Sequence, residues 1–369
     1  MNKLEQLIQE LCPDGVEYKP LGEIAEVGTG SSNGNEAVDN GAYPFFIRSQ
    51  TVKSKNEFEY NEEAIIIPGE GGIGEIFHYI SGKYALHQRV YRIHFTTRKV
   101  NTKFSYYYMQ AYFKSFIMKK AVSATVTSIR KPMIEGFSIP VPPLPVQSEI
   151  VKILDNFTEL TAELTAELTA RKKQYEYYRD KLLTFGAFVE ETSNCVWRTL
   201  GEVCVTISSG KAKTKENYGP YPVYGSTGII AHTNTAPYDK VKILVARVGA
   251  NAGYTHLAHG KYDVSDNTLM LDVKAEYNLK YIYYQLVNAN LHQYAKGGGQ
   301  PLVTAGQIKK VQVPIPPLPI QERIVTILDR FDTLCNDLTS GLPAEIAARQ
   351  KQYEYYRDKL LTFRPLSQP

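Results

Sequence analysis

The residues whose types and spacing could support chemistry are few, and most of them argue against catalysis. Gly69-x-Gly71-x-x-Gly74 follows the apolar run Ala64–Pro68, which is the spacing of a dinucleotide-binding turn. That fingerprint needs a helix to open at the glycines so that a pyrophosphate can sit on its N-terminus. Here "EIFHYISGKY" follows, a strand-like segment, so the glycines predict a turn between two strands. "SSGKAKT" (Ser208–Thr214) lacks the upstream glycine of a phosphate-binding loop and reads as a basic loop. Each Pro-Pro pair is followed by Leu, so no Asn-Pro-Pro-Tyr-type methyltransferase signature occurs, and no Ser/His/Asp or paired-carboxylate arrangement stands out. Cys12, Cys195, Cys204 and Cys335 form no Cys-x-x-Cys pair, and no histidines cluster at zinc spacing. These features predict reduced, structural thiols, no metal site and no cofactor on this chain.

A more coherent set consists of basic and polar residues in or beside predicted loops. In the first half these are Arg48, Ser49, Lys53 and Lys55, then His87, Gln88 and Arg89, then Thr127, Arg130 and Lys131. In the second half they are Lys211, Lys213 and Lys215, then Ser226, Thr227, Arg247 and Asn251, then Asp266, Asn267, Lys296 and Gln300. Cationic side chains bind phosphate oxygens, and hydroxyls, amides and guanidinium groups read base edges. Any one of these residues is equally an ordinary solvated side chain. Their recurrence at matching places in two halves singles out the set. Net charge is only +4 over 369 residues, so a nucleic-acid surface must be local.

The matching places follow from a repeat that organises the whole chain. "QYEYYRDKLLTF" occupies Gln174–Phe185 and returns unchanged at Gln352–Phe363. "IPVPPLPVQSEIVKILDNF" (Ile139–Phe157) pairs with "VPIPPLPIQERIVTILDRF" (Val313–Phe331). Upstream the likeness is weaker but the order persists. "GAYPFFIRS" at Gly41 echoes "GPYPVYGST" at Gly219, and Glu63–Tyr84 aligns without gaps on Val241–Tyr262. His87-Gln88-Arg89 then falls on Ser265-Asp266-Asn267, the same place with changed chemistry. The chain is two units of about 180 residues, each a variable part followed by a nearly constant one.

The constant part is expected to be helical. Pro-Pro-Leu-Pro is expected to forbid a helix through itself and to end just before one can start, and from Ile150 the apolar residues recur at steps of three and four. That stripe runs through Ile153, Leu154, Phe157, Leu160, Leu164 and Leu168 to Tyr175, Tyr178 and Leu182, which should all pack inward. "ELTAELTAELTA" (Glu159–Ala170) repeats every four residues, about 400° of helix, so each Leu drifts by only about 40°. In the second copy Asp329 to Arg349 is one helical turn longer than Asp155 to Arg171. There Gly341 should end one helix and Pro343 start another, with Glu345 in its first turn. The two constant helices should pair as an antiparallel coiled coil. The variable parts read as mixed α/β, with strands at "AIIIP", "RVYRIHF", "VKILVA" and "TLMLDV". One aromatic helix is expected in each, from Lys103 to Lys120 and from Leu279 to Ala295.

Arg171, Lys172, Arg179 and Lys181 should lie off the stripe, as should Arg349, Lys351, Arg357 and Lys359. A solvated face would have been free to drift between copies, so a bound protein partner is expected there, with phosphate contact as the competing cause. No apolar run approaches the roughly 18 residues of a bilayer span, and the N-terminus is amphipathic rather than signal-like, which predicts a cytoplasmic protein.

Together the repeated "PPLP-x-Q" helix starts, the Thr-Ala-Glu-Leu repeats and the "RKKQYEYYRDKLLTF"/"RQKQYEYYRDKLLTF" pair resemble the specificity subunit of type I restriction–modification systems, over essentially the whole chain. The resemblance implies two recognition domains, each reading one half of a split, asymmetric site on double-stranded DNA. It also implies constant helices that set the spacing and dock two methyltransferase subunits, with Arg171, Lys172, Tyr177, Arg179, Arg349, Tyr355 and Arg357 as the docking candidates. S-adenosylmethionine would then belong to the methyltransferase partner, and ATP and Mg to motor-nuclease subunits. The expected domains are residues 1–143, 144–185, 186–317 and 318–363, recognition domain and spacer helix in turn, with a tail at 364–369 and the second helix broken near 340–343. The rival reading is a coiled-coil interaction scaffold with two RNA- or ligand-binding heads.

Overall fold

The apolar runs become strands in the computed structural model, which describes residues 3–120, 128–184, 195–212 and 218–366. The first half runs through α1 (Lys3–Leu11), β1 (Tyr18–Pro20), α2 (Leu21–Ile24), β2 (Ala25–Thr29), β3 (Tyr43–Phe46), β4 (Lys53–Lys55), β5 (Tyr60–Pro68), β6 (His78–Leu86) and β7 (Val90–Phe95). It continues through α3 (Thr102–Lys120), α4 (Lys131–Glu135) and β8 (Ser138–Pro140) into α5 (Leu144–Leu183). The second half runs through β9 (Val196–Thr199), α6 (Leu200–Val203), β10 (Cys204–Ser209), β11 (Tyr221–Gly225), β12 (Gly228–Thr233), β13 (Lys242–Ala246), β14 (Thr255–Ala258), β15 (Asp263–Val264) and β16 (Thr268–Val273). It closes with α7 (Leu279–Asn288), α8 (Ala305–Lys309), β17 (Gln312–Ile315), α9 (Leu318–Asn336) and α10 (Leu342–Leu360).

Contacts group these elements into two units, Met1–Leu164 with Ile346–Pro369, and Thr165–Glu345. Membership therefore departs from chain order. The first unit holds the beginning of α5 and nearly all of α10, and the second holds the end of α5 and all of α9. The two copies of the tyrosine-rich segment consequently belong to the unit of the other repeat.

In the first unit a six-stranded sheet has the order β2-β7-β5-β6-β3-β4, antiparallel except for β3 beside β6. The second unit uses the same order in two pieces, β10-β16-β13-β14 and β12-β11-β15, with β11 parallel to β15. The difference lies at one glycine. Gly82 bends β6 with φ +120°, and the aligned Gly260, at φ +69°, separates β14 from β15. Only a residue without Cβ visits these φ values freely. In the first unit α3 packs Phe104, Tyr107, Met109, Phe113 and Ile117 onto Ile65, Ile67 and Ile93 of the sheet. In the second, α7 does the same with Tyr281, Ile282 and Leu286 against Ile243, Val245 and Leu271.

Each constant helix is fastened to its domain by residues shared by both copies. Gln147 is fully buried at the start of α5. Its amide accepts from Asn101 N at 2.7 Å and donates to Lys99 O and Pro142 O at 2.8 and 2.6 Å. Gln321 in α9 repeats the clamp, accepting from Asn278 N at 2.9 Å and donating to Pro316 O at 2.8 Å. One step along, Asp155 accepts from Lys103 Nζ at 2.8 Å and Tyr107 Oη at 2.5 Å, and Asp329 accepts from Lys280 Nζ at 2.6 Å and Tyr284 Oη at 2.7 Å. Replacing Gln147 by Ala leaves buried backbone groups without partners. It is expected to destabilise the chain by about 2–4 kcal/mol, read as a lower urea midpoint.

α5 is a single unbroken helix, as the four-residue repeat predicts. In the first unit Phe157 stacks on Tyr356 of α10, with centroids 5.5 Å apart. In the second, Phe331 of α9 meets Tyr175 and Tyr178 at 6.1 and 6.0 Å, and Cys335 faces Arg171 and Lys172. These pairings run antiparallel. They join the phenylalanine of one copy to the tyrosine of the other. The stripe is less sealed than its period suggests, because Leu160, Leu164 and Leu168 are only half-buried and Tyr178 remains exposed.

Two helix ends differ from expectation. α9 stops at Asn336, short of Gly341, because Asp337 accepts from Thr339 N at 2.7 Å and from Ser340 Oγ at 2.5 Å and so turns the chain locally. Those hydrogen bonds hold the Asp337 carboxyl down to about 2. Gly341 is required by close approach rather than by a cap, since a Cβ there would lie 2.4 Å from Thr333 O. The second aromatic helix is also shorter than read. α7 ends at Asn288, and Asn290 turns left-handed at φ +44° before a 3-10 turn at Leu291–Tyr294.

Candidate nucleic-acid interface

Strand ends and turns bring some of the loop residues together at one edge of each unit. In the first unit, Arg48 follows β3, Glu70 follows β5, and His87–Arg89 connect β6 to β7. Arg48 Nη1 and Arg89 Nη1 each lie 2.9 Å from Glu70 Oε2. The hydrogen bond from Arg89, with the charges of Arg89 and Arg48, holds the Glu70 carboxyl below the usual range. His87 is buried, and its Nδ1 accepts from Arg89 N at 3.0 Å. Burial first, then the charges of Arg48 and Arg89, lowers its pKa and favours neutral imidazole. Gln88 Nε2 donates to Asn33 Oδ1 at 2.6 Å. The segment before α4 joins the cluster through a bridge between Glu70 and Ser128, two residues before the exposed Arg130. Arg48, Glu70, Gly71 and His87 line a surface pocket of about 310 Å³.

Other residues of the first set sit elsewhere or serve the fold. Ser49 O meets His78 Nε2 at 3.1 Å, and Lys53 is exposed on edge strand β4. Lys55 is tied to Glu36 at 2.6 Å and Ser32 at 2.8 Å, a structural role. Lys131 reaches Glu135 at 3.6 Å along α4. Thr127, Lys213 and Lys215 lie outside the described residues.

The second unit builds the same edge from different groups. Val248 stands at the Glu70 position and bridges to Leu302, as Glu70 does to Ser128. Ser226, at the Arg48 position, donates from Oγ to Asn267 O at 2.8 Å, and Asn267 stands at the Arg89 position. Arg247 Nη1 donates to Asp266 O at 3.4 Å. Thr227, Lys211, Lys296 and Gln300 are exposed on neighbouring turns. Asn251 lines a separate pocket of about 270 Å³ with Tyr254, Asn290 and His292. No signal in the sequence pointed to Glu70, whose place emerges only when three separate loops converge.

The duplicated segment divides into a packed face and an open one. Tyr175 and Tyr353 pack against the cores, and burial pushes each phenol up to about 12. Leu183 and Leu361 are fully enclosed. Arg179 and Arg357, expected off the stripe, are largely covered, with 25% and 22% of each side chain accessible. Each pairs with the next aspartate, at 2.8 and 2.7 Å, and lies over a tyrosine ring at 5.9 and 5.8 Å. Arg357 also lines a groove of about 860 Å³ in the first unit with Lys103, Gln110 and Gln350. Arg171 donates to Gln174 at 3.0 Å and Arg349 to Gln352 at 3.2 Å, while Lys172 is exposed. Tyr177 and Tyr355 are 60% and 63% exposed, and each is set edge-on to the following tyrosine at 5.3 Å. Core packing accounts for part of the identity between copies, and these two tyrosines are left to another cause.

The family description "Type I restriction modification DNA specificity domain" matches residues 13–171 and again residues 193–348. The chain belongs to this family. A chain of Haemophilus influenzae assigned as a type I restriction enzyme specificity subunit is 31% identical over 94% of this chain and 96% of its own length. The EcoR124I/EcoR124II specificity subunit of Escherichia coli is 37% identical over 60% of each chain. In fold, the chain is similar to the crystal structure of a type I system S subunit from M. genitalium, with a TM-score of 0.68 over 94% of this chain and 96% of that one, at 17% identity. It is similar, too, to a chain from a structural study of complex assembly and conformational transition in a type I system, with a TM-score of 0.61 over 95% and 98%, at 14% identity. The mixed α/β class and internal two-fold repeat of this specificity subunit agree with those folds. Among the described residues no helix is long and apolar enough to cross a membrane, and no group of His, Cys, Asp or Glu is placed to hold a metal ion.

Proposed function

We propose that each unit of this specificity subunit binds one half of a bipartite, asymmetric site on double-stranded DNA. The constant helices set the spacing of the halves and dock two methyltransferase subunits. The chain performs no reaction step. S-adenosylmethionine is bound by the methyltransferase partners, ATP and Mg by motor-nuclease subunits, and the assembly works in the cytoplasm.

One observation carries this reading. Both units converge the same loops on the same edge, yet Arg48, Glu70 and Arg89 in one are Ser226, Val248 and Asn267 in the other. A shared scaffold with exchanged donors and acceptors is what reading different bases requires. In the rival scaffold with two RNA- or ligand-binding heads, heads that share one ligand would have no use for the exchange.

Exchanging residues 20–140 for the variable part of a relative tests the reading. Methylation mapping should show one half-site replaced and the other retained. A change in both halves would remove the independence of the two readers.

A further inference from the structure

The Arg48–Glu70–Arg89 assembly is more constrained than a surface ion pair needs to be. Gly69 N–H donates to Arg89 O and Ile129 N–H donates to Gly69 O, both at 2.9 Å, so the backbone beside Glu70 is fixed from two sides. Gly69 permits this approach, because a Cβ there would lie 3.0 Å from both Arg89 O and the Tyr91 ring. The carboxylate thus stands on a fixed support and holds two long side chains that would otherwise sample many rotamers. Exposed ion pairs contribute little to stability, so folding does not explain the arrangement. The arginine side chains are 44% and 57% accessible. Each uses Nη1 on Glu70, and among the described residues the Nε–Nη2 edge of each has no protein hydrogen bond. Such an edge presents two parallel N–H groups, the complement of guanine O6 and N7 in the major groove. Fixing the fork in advance removes the ordering cost from binding and sharpens the choice of base.

We infer that Glu70 is a positioning residue that aims Arg48 and Arg89 at guanine, so that the half-site read by the first unit contains guanine recognised through its N7 edge. The inference rests on the DNA-reading function proposed above. The second unit, with Ser226, Val248 and Asn267 at these places, has no counterpart of the fork.

The test uses the chain assembled with its methyltransferase subunits and a duplex carrying its mapped site, with the half-sites assigned by the domain exchange. Each guanine of the first half-site is replaced in turn by 7-deazaguanine, which removes the N7 acceptor. Binding is compared for wild type, Glu70→Gln, Glu70→Val and Glu70→Asp. In wild type at least one replacement should weaken binding about 10-fold or more. Glu70→Gln and Glu70→Val should lose most of that discrimination, Glu70→Asp should keep most of it, the second half-site should be discriminated normally by all four, and unchanged thermal midpoints should show that the variants are folded. A first half-site without an N7-sensitive guanine, or undiminished discrimination in both Glu70→Gln and Glu70→Val, overturns the inference and leaves bipartite recognition standing. Loss of any sequence preference by wild type in both halves would overturn the DNA-reading function together with it.

Discussion

Deleting Thr161–Leu164 from α5 is expected to bring the two half-sites closer by one or two base pairs while both keep their bases. Four residues are one turn of helix, about 6 Å, and leave the remaining stripe only about 40° out of phase. B-DNA advances about 3.4 Å per base pair, which gives the size of the change. The deletion falls where the helix tolerates it. The boundary between the two units runs between Leu164 and Thr165, and Leu160, Leu164 and Leu168 are half-buried rather than core residues. The next Thr-Ala-Glu-Leu unit moves into the vacated positions, so the side chains presented on each face change little. Methylation mapping reads both quantities at once. Altered half-site bases at an unchanged separation would remove α5 as the ruler.

Replacing Tyr177 and Tyr355 by Glu together is expected to abolish assembly with methyltransferase subunits while the thermal midpoint of the isolated chain moves by only a few degrees. Tyrosines are prominent among interface residues whose loss costs about 2 kcal/mol or more each, and a carboxylate buried in their place adds a desolvation penalty. Both rings already stand in the open, so the free chain has little to lose. The single change Tyr177→Glu should leave one docking site, visible in sedimentation without DNA as a complex short of one methyltransferase subunit. Charge reversal of Arg179 or Arg357 would be a poorer probe. Each is held by its aspartate and its tyrosine ring, so reversal disturbs the chain's own packing as well. A full complex from the double Tyr variant would remove this face as the docking surface.

What could be read in advance follows from where each signal lies. The unbroken α5 was legible because a helix lacking Gly and Pro after its first turn needs no partner to be recognised. The strands at Ala64–Ile67 and Lys242–Val245 were legible because β-branched runs of that length announce themselves. The partners of the stripe were not legible, since periodicity says that a face is buried but not against what. Only the fold shows that Tyr353 and Leu361 complete the core of the unit that begins the chain. Gln147 and Gln321 looked like helix-starting residues, and their buried amide clamps depend on backbone groups of a distant loop. The early end of α9 was encoded in Asp337, Thr339 and Ser340, a side-chain turn outweighed in the reading by the more conspicuous Gly341 and Pro343. At the candidate interface the sequence offered the arginines but not Glu70, because an acidic residue in a basic set has no meaning until its partners are within reach.

Methylome sequencing of a host expressing this chain with its methyltransferase subunit tests the central claim most directly. The account predicts modified adenines in a single motif of two unlike half-sequences separated by a fixed run of unspecified bases. A continuous motif, two identical halves, or a variable gap between the halves would contradict it.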